Sequence, residues 1–125
     1  MIPSRTLPRA ERLRTLGAIR RLFESGESGF VYPFRYVWFA EADDRMSAEV
    51  LFSVPKKFHK RANRRNLLRR RAKEAYRLNK RLLLAEGGKT AAVDVALIYS
   101  SKEIGPYKTV ENALRRILQQ IAERL

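Results

Sequence analysis

KKFHKRANRRNLLRRRAKEAYRLNKR, residues Lys56 to Arg81, holds 13 of the chain's 27 basic side chains in 26 positions, against the single acid Glu74. Thirteen cations and one anion give the stretch a net +12, out of +14 for the whole chain. Charge this dense implies a polyanionic ligand, or else a solvated face that repels itself. From about Arg61 the stretch also carries a helical period. At roughly 100° per residue, Leu68, Ala72, Ala75, Tyr76, Asn79, Leu82 and Leu83 fall within about 120° of one another. Asn66, Arg69, Arg70, Lys73, Arg77, Lys80 and Arg81 gather on the opposite side. Such a helix presses a modest apolar seam onto a core and aims its cations outward. Along Asn66, Arg70, Lys73 and Arg77, neighbouring Cβ atoms stand about 5–6 Å apart, close to the phosphate spacing of a nucleic-acid strand. Like charges at this spacing destabilise an isolated helix by about 0.2–0.5 kcal/mol per pair. A sequence that accepts this cost repeatedly keeps its cations for a ligand, and RNA or DNA is the simplest one.

The segments on either side supply a scaffold. Residues 1–12, with Pro3 and Pro8, read as an extended, flexible basic leader whose Arg5, Arg9 and Arg12 could touch a polyanion. From Thr15 to Ser25, Leu16, Ile19, Leu22 and Phe23 recur at helical spacing, with Thr15 as N-cap and Gly26 as the stop. Phe30 to Ala42 is rich in aromatic and β-branched residues and reads as a short strand, a break at Pro33 and a longer strand. Alternation puts Phe34, Tyr36 and Trp38 on one face, and Arg35, Val37 and Phe39 on the other. Asp43-Asp44-Arg45 signals a turn and Ala48 to Val54 a third strand, so a hairpin is expected there. After the basic helix Gly87-Gly88 breaks the chain, and Ala91 to Tyr99 (AAVDVALIY) is the apolar run of a strand buried mid-sheet. Pro106 marks a helix start. Val110, Ala113, Leu114, Ile117, Leu118, Ile121 and Leu125 then form an i, i+3, i+4 stripe. The order α-β-β-β-α-β-α implies an α+β fold, a two-layer α/β sandwich with helices packed on one side of a four-stranded sheet.

Composition narrows the function classes. At 125 residues and 45% apolar content the chain forms one domain with a real core. With no cysteine there is no disulfide and no thiolate metal site, which suits a reducing cytoplasm. The opening MIPSRTLPRAERLR lacks the apolar run of a signal peptide, and no stretch approaches the ~20 residues of a membrane span. The calculated pI of 10.9 lies where nucleic-acid binders lie.

The pattern resembles the protein subunit of bacterial ribonuclease P. Ser53-Val54-Pro55-Lys56-Lys57 is similar to that family's strand ending in a Lys pair, and Arg65-Asn66 to its Arg-Asn core. Arg69-Arg70, Lys73-Glu74-Ala75-Tyr76 and Arg77 resemble the continuation of its signature helix. Ile19-Arg20-Arg21-Leu22-Phe23-Glu24-Ser25-Gly26 resembles its first helix and glycine stop. The likeness spans roughly Leu13 to Leu125, taken as a single domain of residues 13–125. Two positions depart from the pattern. Leu67 replaces the third residue of the usual Arg-Asn-Arg triplet, and His59-Lys60 with a one-residue insertion replaces a glycine after the Lys pair. The resemblance implies a ribosomal protein S5 domain 2-like fold with a left-handed β-α-β crossover around the basic helix. It implies a monomer in a 1:1 complex with a catalytic RNA that removes the 5′ leader of precursor tRNA, the chemistry and its Mg²⁺ residing in the RNA. Lys56, Lys57, Lys60, Arg61, Arg65, Asn66, Arg69, Arg70, Lys73, Arg77 and Lys80 are then expected on the catalytic-RNA face. Phe23, Arg35, Tyr36 and Trp38 are the candidates for a groove that stacks the single-stranded leader, with core burial as the competing reading of each.

No protein catalytic or metal constellation is legible. His59, the only histidine, has no carboxylate near it in sequence to orient it and reads as a solvated loop residue. Asp43-Asp44 is a turn, and Asp94 is isolated in a strand, so nothing suggests two-metal hydrolysis by protein groups. A structural RNA-binding protein of ribosomal type explains the charge equally well, but not the aromatic strand. An amphipathic membrane-surface helix is disfavoured by a seam made largely of alanine.

Overall fold

The computed structural model describes residues 16–42, 47–84 and 91–125. Helix α1 (Leu16–Ser25) leads into strands β1 (Glu27–Val31), β2 (Phe34–Ala42) and β3 (Ser47–Ser53). The basic helix α2 (Ala62–Asn79), a single turn α3 (Arg81–Leu84), strand β4 (Ala91–Tyr99) and helix α4 (Tyr107–Arg124) follow. The element order is the one read from the sequence, except that the basic helix ends at Asn79 and Leu82 and Leu83 fall in the separate turn α3. The leader, Thr15, the 43–45 turn and Gly87-Gly88 lie outside the described residues.

The four strands form one sheet in the order β1-β2-β4-β3. β4 pairs antiparallel with β2, from Phe34 opposite Tyr99 to Ala42 opposite Ala91. On its other edge it pairs parallel with β3, from Ser47 opposite Ala92 to Ser53 opposite Ile98. A strand buried on both faces is apolar throughout, and AAVDVALIY is buried at every position but Ile98. β4 therefore takes the centre of the sheet and separates β2 from β3. The hairpin expected between those two strands is not formed. The hairpin of this fold joins β1 and β2, with Glu27 opposite Trp38 and Val31 opposite Phe34, around Tyr32-Pro33.

Alternation along β2 is as read. Phe34, Tyr36 and Trp38 join Val93, Val95, Leu97 and Tyr99 in the main core, beneath Leu68, Ala72 and Ala75 of α2 and the α4 stripe from Val110 to Ile121. The opposite face carries a smaller cluster of Leu22, Val37 and Ala96, flanked by Phe39 and Leu51. Here the fold corrects the one-sided placement of the helices. α2 and α4 make the sandwich layer, whereas α1 lies on the other face, because Leu22 needs an apolar partner and Val37 and Ala96 provide one.

α1 stops where the chain must pass close to β2. The Gly26 amide donates to the Leu22 carbonyl at 2.9 Å, and a Cβ at Gly26 would run into the Leu22 and Trp38 carbonyl oxygens. Both obstacles are backbone and cannot swing away. A Cβ at Gly17 would meet nothing within 4 Å. Gly26→Ala is therefore expected to cost about 1–3 kcal/mol of folding stability. Gly17→Ala should be neutral or stabilising by up to about 1 kcal/mol, since alanine loses less backbone entropy in a helix. Urea denaturation of both variants checks the contrast.

Candidate nucleic-acid interface

α2 is poorly capped at its N-terminus. Its first turn holds no acid, and its N-cap position, Arg61, makes no side-chain cap hydrogen bond. Tertiary packing holds it instead. Leu68, Ala72, Ala75 and Asn79 are buried, and small alanines let the helix lie close against α4. At the C-terminal end the Asn79 amide donates to the Ala75 carbonyl at 2.8 Å and to Glu111 Oε2 at 3.4 Å. Burying this seam turns the opposite side outward. Asn66, Arg70, Lys73, Arg77, Lys80 and Arg81 are exposed, and Arg69 is half-buried. Among the described residues Arg70 and Lys73 have no acidic partner.

The one acid in the stretch is spent locally. Arg77 grips Glu74 with two hydrogen bonds, Nε to Oε1 at 3.1 Å and Nη2 to Oε2 at 2.7 Å. These bonds hold the Glu74 carboxyl below its ordinary range and push the Arg77 guanidinium higher. Both side chains are solvent-exposed, so the pair adds little to stability. Its effect is to withdraw one cation from the outward row.

The loop from β3 to α2 extends the basic surface. Lys56, Lys57, Lys60 and Arg61 are exposed on it, and Lys57 Nζ lies 5.1 Å from the centre of the Phe58 ring. Arg65 is half-buried and donates from Nη1 to the His59 and Lys60 carbonyls, at 3.1 and 2.7 Å. It closes the loop as well as contributing charge. Arg69 donates to Asn66 Oδ1 at 2.9 Å, which leaves the Asn66 NH₂ as the donor end of that pair. Arg71 turns inward, its Nη1 donating to the Gly105 carbonyl at 2.7 Å. His59 is a correction: it is 3% exposed rather than solvated. Its ring packs edge-on against Tyr99 at 5.7 Å.

The candidate groove set divides between the two faces of the sheet. Tyr36 and Trp38 are 7% and 8% exposed, inside the main core. The Tyr36 hydroxyl donates to Gln120 of α4, and burial raises its phenol above the usual range. Core burial is the reading that describes these two residues. Arg35 is exposed on the opposite face, the face on which α1 lies, and Phe23 of α1 is 45% exposed. Sequence reading missed Phe30 and Tyr32, which are 58% and 51% exposed. Strand register places Phe30 opposite Arg35, Arg35 opposite Ile98, and Ile98 opposite Ser53. This row crosses the sheet and ends where Val54 and Pro55 lead into the Lys pair. The signal was present in the β1–β2 turn at Tyr32-Pro33, once that turn is used to set the pairing.

Among the described residues no group of three or more His, Asp or Glu side chains is placed to hold a metal ion. Nor is any described helix long and apolar enough to cross a membrane.

A family model described as Ribonuclease P matches residues 7–122. The ribonuclease P protein component of Porphyromonas gingivalis is 36% identical over 124 residues, covering 96% of this chain and 89% of that protein. That of Chlorobaculum tepidum is 39% identical over 84 residues, 62% of this chain and 53% of that one. The solved RNase P protein of Thermotoga maritima superposes with a TM-score of 0.67 at 25% identity, covering 86% of this chain and 93% of that one. A mutant RNase P protein of Staphylococcus aureus, 20% identical, shares the fold with a TM-score of 0.69 over 98% of both chains.

If Glu74 withdraws Arg77 from the outward row, Glu74→Gln frees the guanidinium and removes an anion. Affinity for a polyanion should rise, read as a higher salt concentration for elution from heparin. The thermal midpoint should barely move, as for other exposed pairs. Unchanged elution would mean that Arg77 already faces the ligand while paired.

Proposed function

The chain belongs to the ribonuclease P protein family, and from that membership we propose that the outward row of α2 and the loop before it bind the ribonuclease P RNA. Proteins of this family act in 5′ processing of tRNA with an RNA subunit, and this chain is such a protein component. Family membership decides between the two RNA-binding readings in favour of tRNA processing. The membrane-surface reading loses its footing because the apolar seam of α2 is buried against the sheet and α4.

One observation carries the proposed RNA face: α2 buries its seam and leaves Arg70, Lys73, Arg77 and Lys80 exposed along one side. Lysine and arginine on phosphates provide affinity with a salt slope of roughly −0.7 to −0.9 per phosphate neutralised. The loop cations Lys56, Lys57, Lys60 and Arg61 extend that face, and Asn66 adds a donor within it. Arg65 and Arg69 contribute charge while ordering the loop and Asn66.

The leader of precursor tRNA is proposed to lie on the α1 side of the sheet. Phe23, Arg35 and the newly found Phe30 offer apolar and cationic contact there, each stacked base contributing about 1–3 kcal/mol. Tyr36 and Trp38 belong to the packing beneath and take no part in that contact. In this scheme the RNA subunit, with its Mg²⁺, performs the cleavage. The protein screens phosphate repulsion and orients the two RNAs, as one copy per RNA, in the cytoplasm.

Reversing two neighbouring exposed cations tests the RNA face. The double variant Arg70→Glu, Lys73→Glu should weaken assembly with the RNA subunit and flatten the salt slope by roughly 0.7–0.9 for each phosphate left without its cation. Cleavage of precursor tRNA at physiological ionic strength should fall, with partial recovery at raised Mg²⁺. Unchanged assembly and cleavage under physiological salt would sink the proposal.

A further inference from the structure

The cations of the β3–α2 loop are useful to a phosphate backbone only if their spacing is fixed, and a loop of lysines has no reason to hold still. Here it is held from inside. The His59 and Phe58 amides donate to the Pro55 carbonyl at 3.3 and 3.2 Å, which makes a compact turn. From that turn the His59 side chain reaches into the protein, and its Nε2 lies 2.8 Å from the Ser101 carbonyl oxygen. A carbonyl only accepts, so Nε2 carries the proton and donates.

The chain beyond β4 that receives this bond is itself pinned. The Ser100 amide donates to the Pro33 carbonyl at 2.8 Å, and the Tyr99 hydroxyl donates to the Glu103 carbonyl at 2.7 Å. Tyr32 also reaches Ser101 Oγ and Glu103 Oε1, both at 3.2 Å. Arg71 ties the same segment to α2 through Gly105. One rigid segment, residues 99–105, is therefore gripped by the loop at His59 and by the helix at Arg71. Arg65 adds a direct tie between helix and loop through the His59 and Lys60 carbonyls.

We propose that His59 is a positioning residue for RNA binding: its buried imidazole latches the basic loop to the chain after β4 and holds Lys56, Lys57 and Lys60 in line with the outward row of α2. The inference rests on the reading that this loop contacts the RNA. His59 touches no ligand in this scheme. It acts through the three lysines, whose charge is usable at full strength only while the loop stays in one conformation.

The test uses the full chain, a transcribed bacterial ribonuclease P RNA, and affinity measured across a range of salt concentrations. His59→Phe keeps an aromatic ring beside Tyr99 but removes the donor and leaves the half-buried Ser101 carbonyl without it. His59→Gln keeps an N–H donor and serves as the conservative rescue. The triple variant Lys56→Ala, Lys57→Ala, Lys60→Ala reports what the loop contributes when its charges are gone. His59→Phe should weaken binding roughly five- to fifty-fold and flatten the salt slope toward that of the triple variant, by about 0.7–0.9 for each phosphate no longer neutralised. His59→Gln should restore most of both. A merely structural histidine would instead lower the thermal midpoint and leave affinity and slope at 25 °C unchanged, and that result overturns the proposal provided the triple variant binds weakly. If the triple variant binds as tightly as the parent, the loop does not contact the RNA at all. The underlying reading then fails on its own evidence, whatever His59 does.

Discussion

The constraint on which this structure depends is that a segment with a net charge of +12 over 26 residues cannot be buried. Moving even one unpaired ammonium or guanidinium group out of water costs several kcal/mol after relaxation. The basic helix can therefore meet the rest of the protein only along the narrow strip that carries no charge. Leu68, Ala72 and Ala75 are that strip, and their small size forces close approach to the sheet and α4. The direction of the exposed cations follows from it, while Arg71, at the edge of the strip, turns inward to the Gly105 carbonyl. One side of α2 is fixed by packing, so the other becomes a rigid row, with Arg70 and Lys73 free of acidic partners among the described residues.

The rest of the chain supplies the platform. β4, apolar along nearly its full length, sits at the centre of the sheet and sends its odd-numbered side chains to the α2–α4 layer. The β3–α2 loop and the chain leaving β4 emerge at the same end of the sheet, because the parallel pair ends at Ser53 opposite Ile98. Proximity at that end lets His59 and Arg71 reach a common segment. The electrostatic surface is thus tied to the core by hydrogen bonds to backbone carbonyls, and surface ion pairs contribute little to holding it.

What was legible in the sequence was what local periodicity encodes. The period of α2 assigned Leu68, Ala72, Ala75 and Asn79 to the buried face and Asn66, Arg70, Lys73 and Arg77 to the outward one, but it gave no sign that Arg71 turns inward. The unbroken apolar run of β4 identified a central strand, and the stripe of α4 was visible from Val110 onward. What was not legible depends on contacts distant in sequence. A turn signal after β2 suggested a hairpin with β3, but strand pairing is decided by the whole sheet, and β4 competed successfully for both edges. Alternation along β2 separated Tyr36 and Trp38 from Arg35, yet nothing local says which of the two faces a helical layer covers. The chain covers the aromatic one. His59 looked solvated because its neighbours are lysines, and its acceptor is a carbonyl 42 residues further along the chain. The family resemblance, carried by Arg65-Asn66 and the basic residues that follow, extended to function what periodicity could only describe as a cationic comb.

In the proposed scheme the protein contributes placement and charge, and its RNA partner contributes the chemistry. The most direct measurement is the initial rate of precursor-tRNA cleavage with RNA subunit alone, protein alone and the two combined, at physiological ionic strength and low Mg²⁺. The account predicts no cleavage by the protein alone, slow cleavage by the RNA alone, and a large acceleration on mixing that shrinks as Mg²⁺ is raised. Cleavage by the nucleic-acid-free protein, or a rate on mixing no greater than that of the RNA alone, would contradict it.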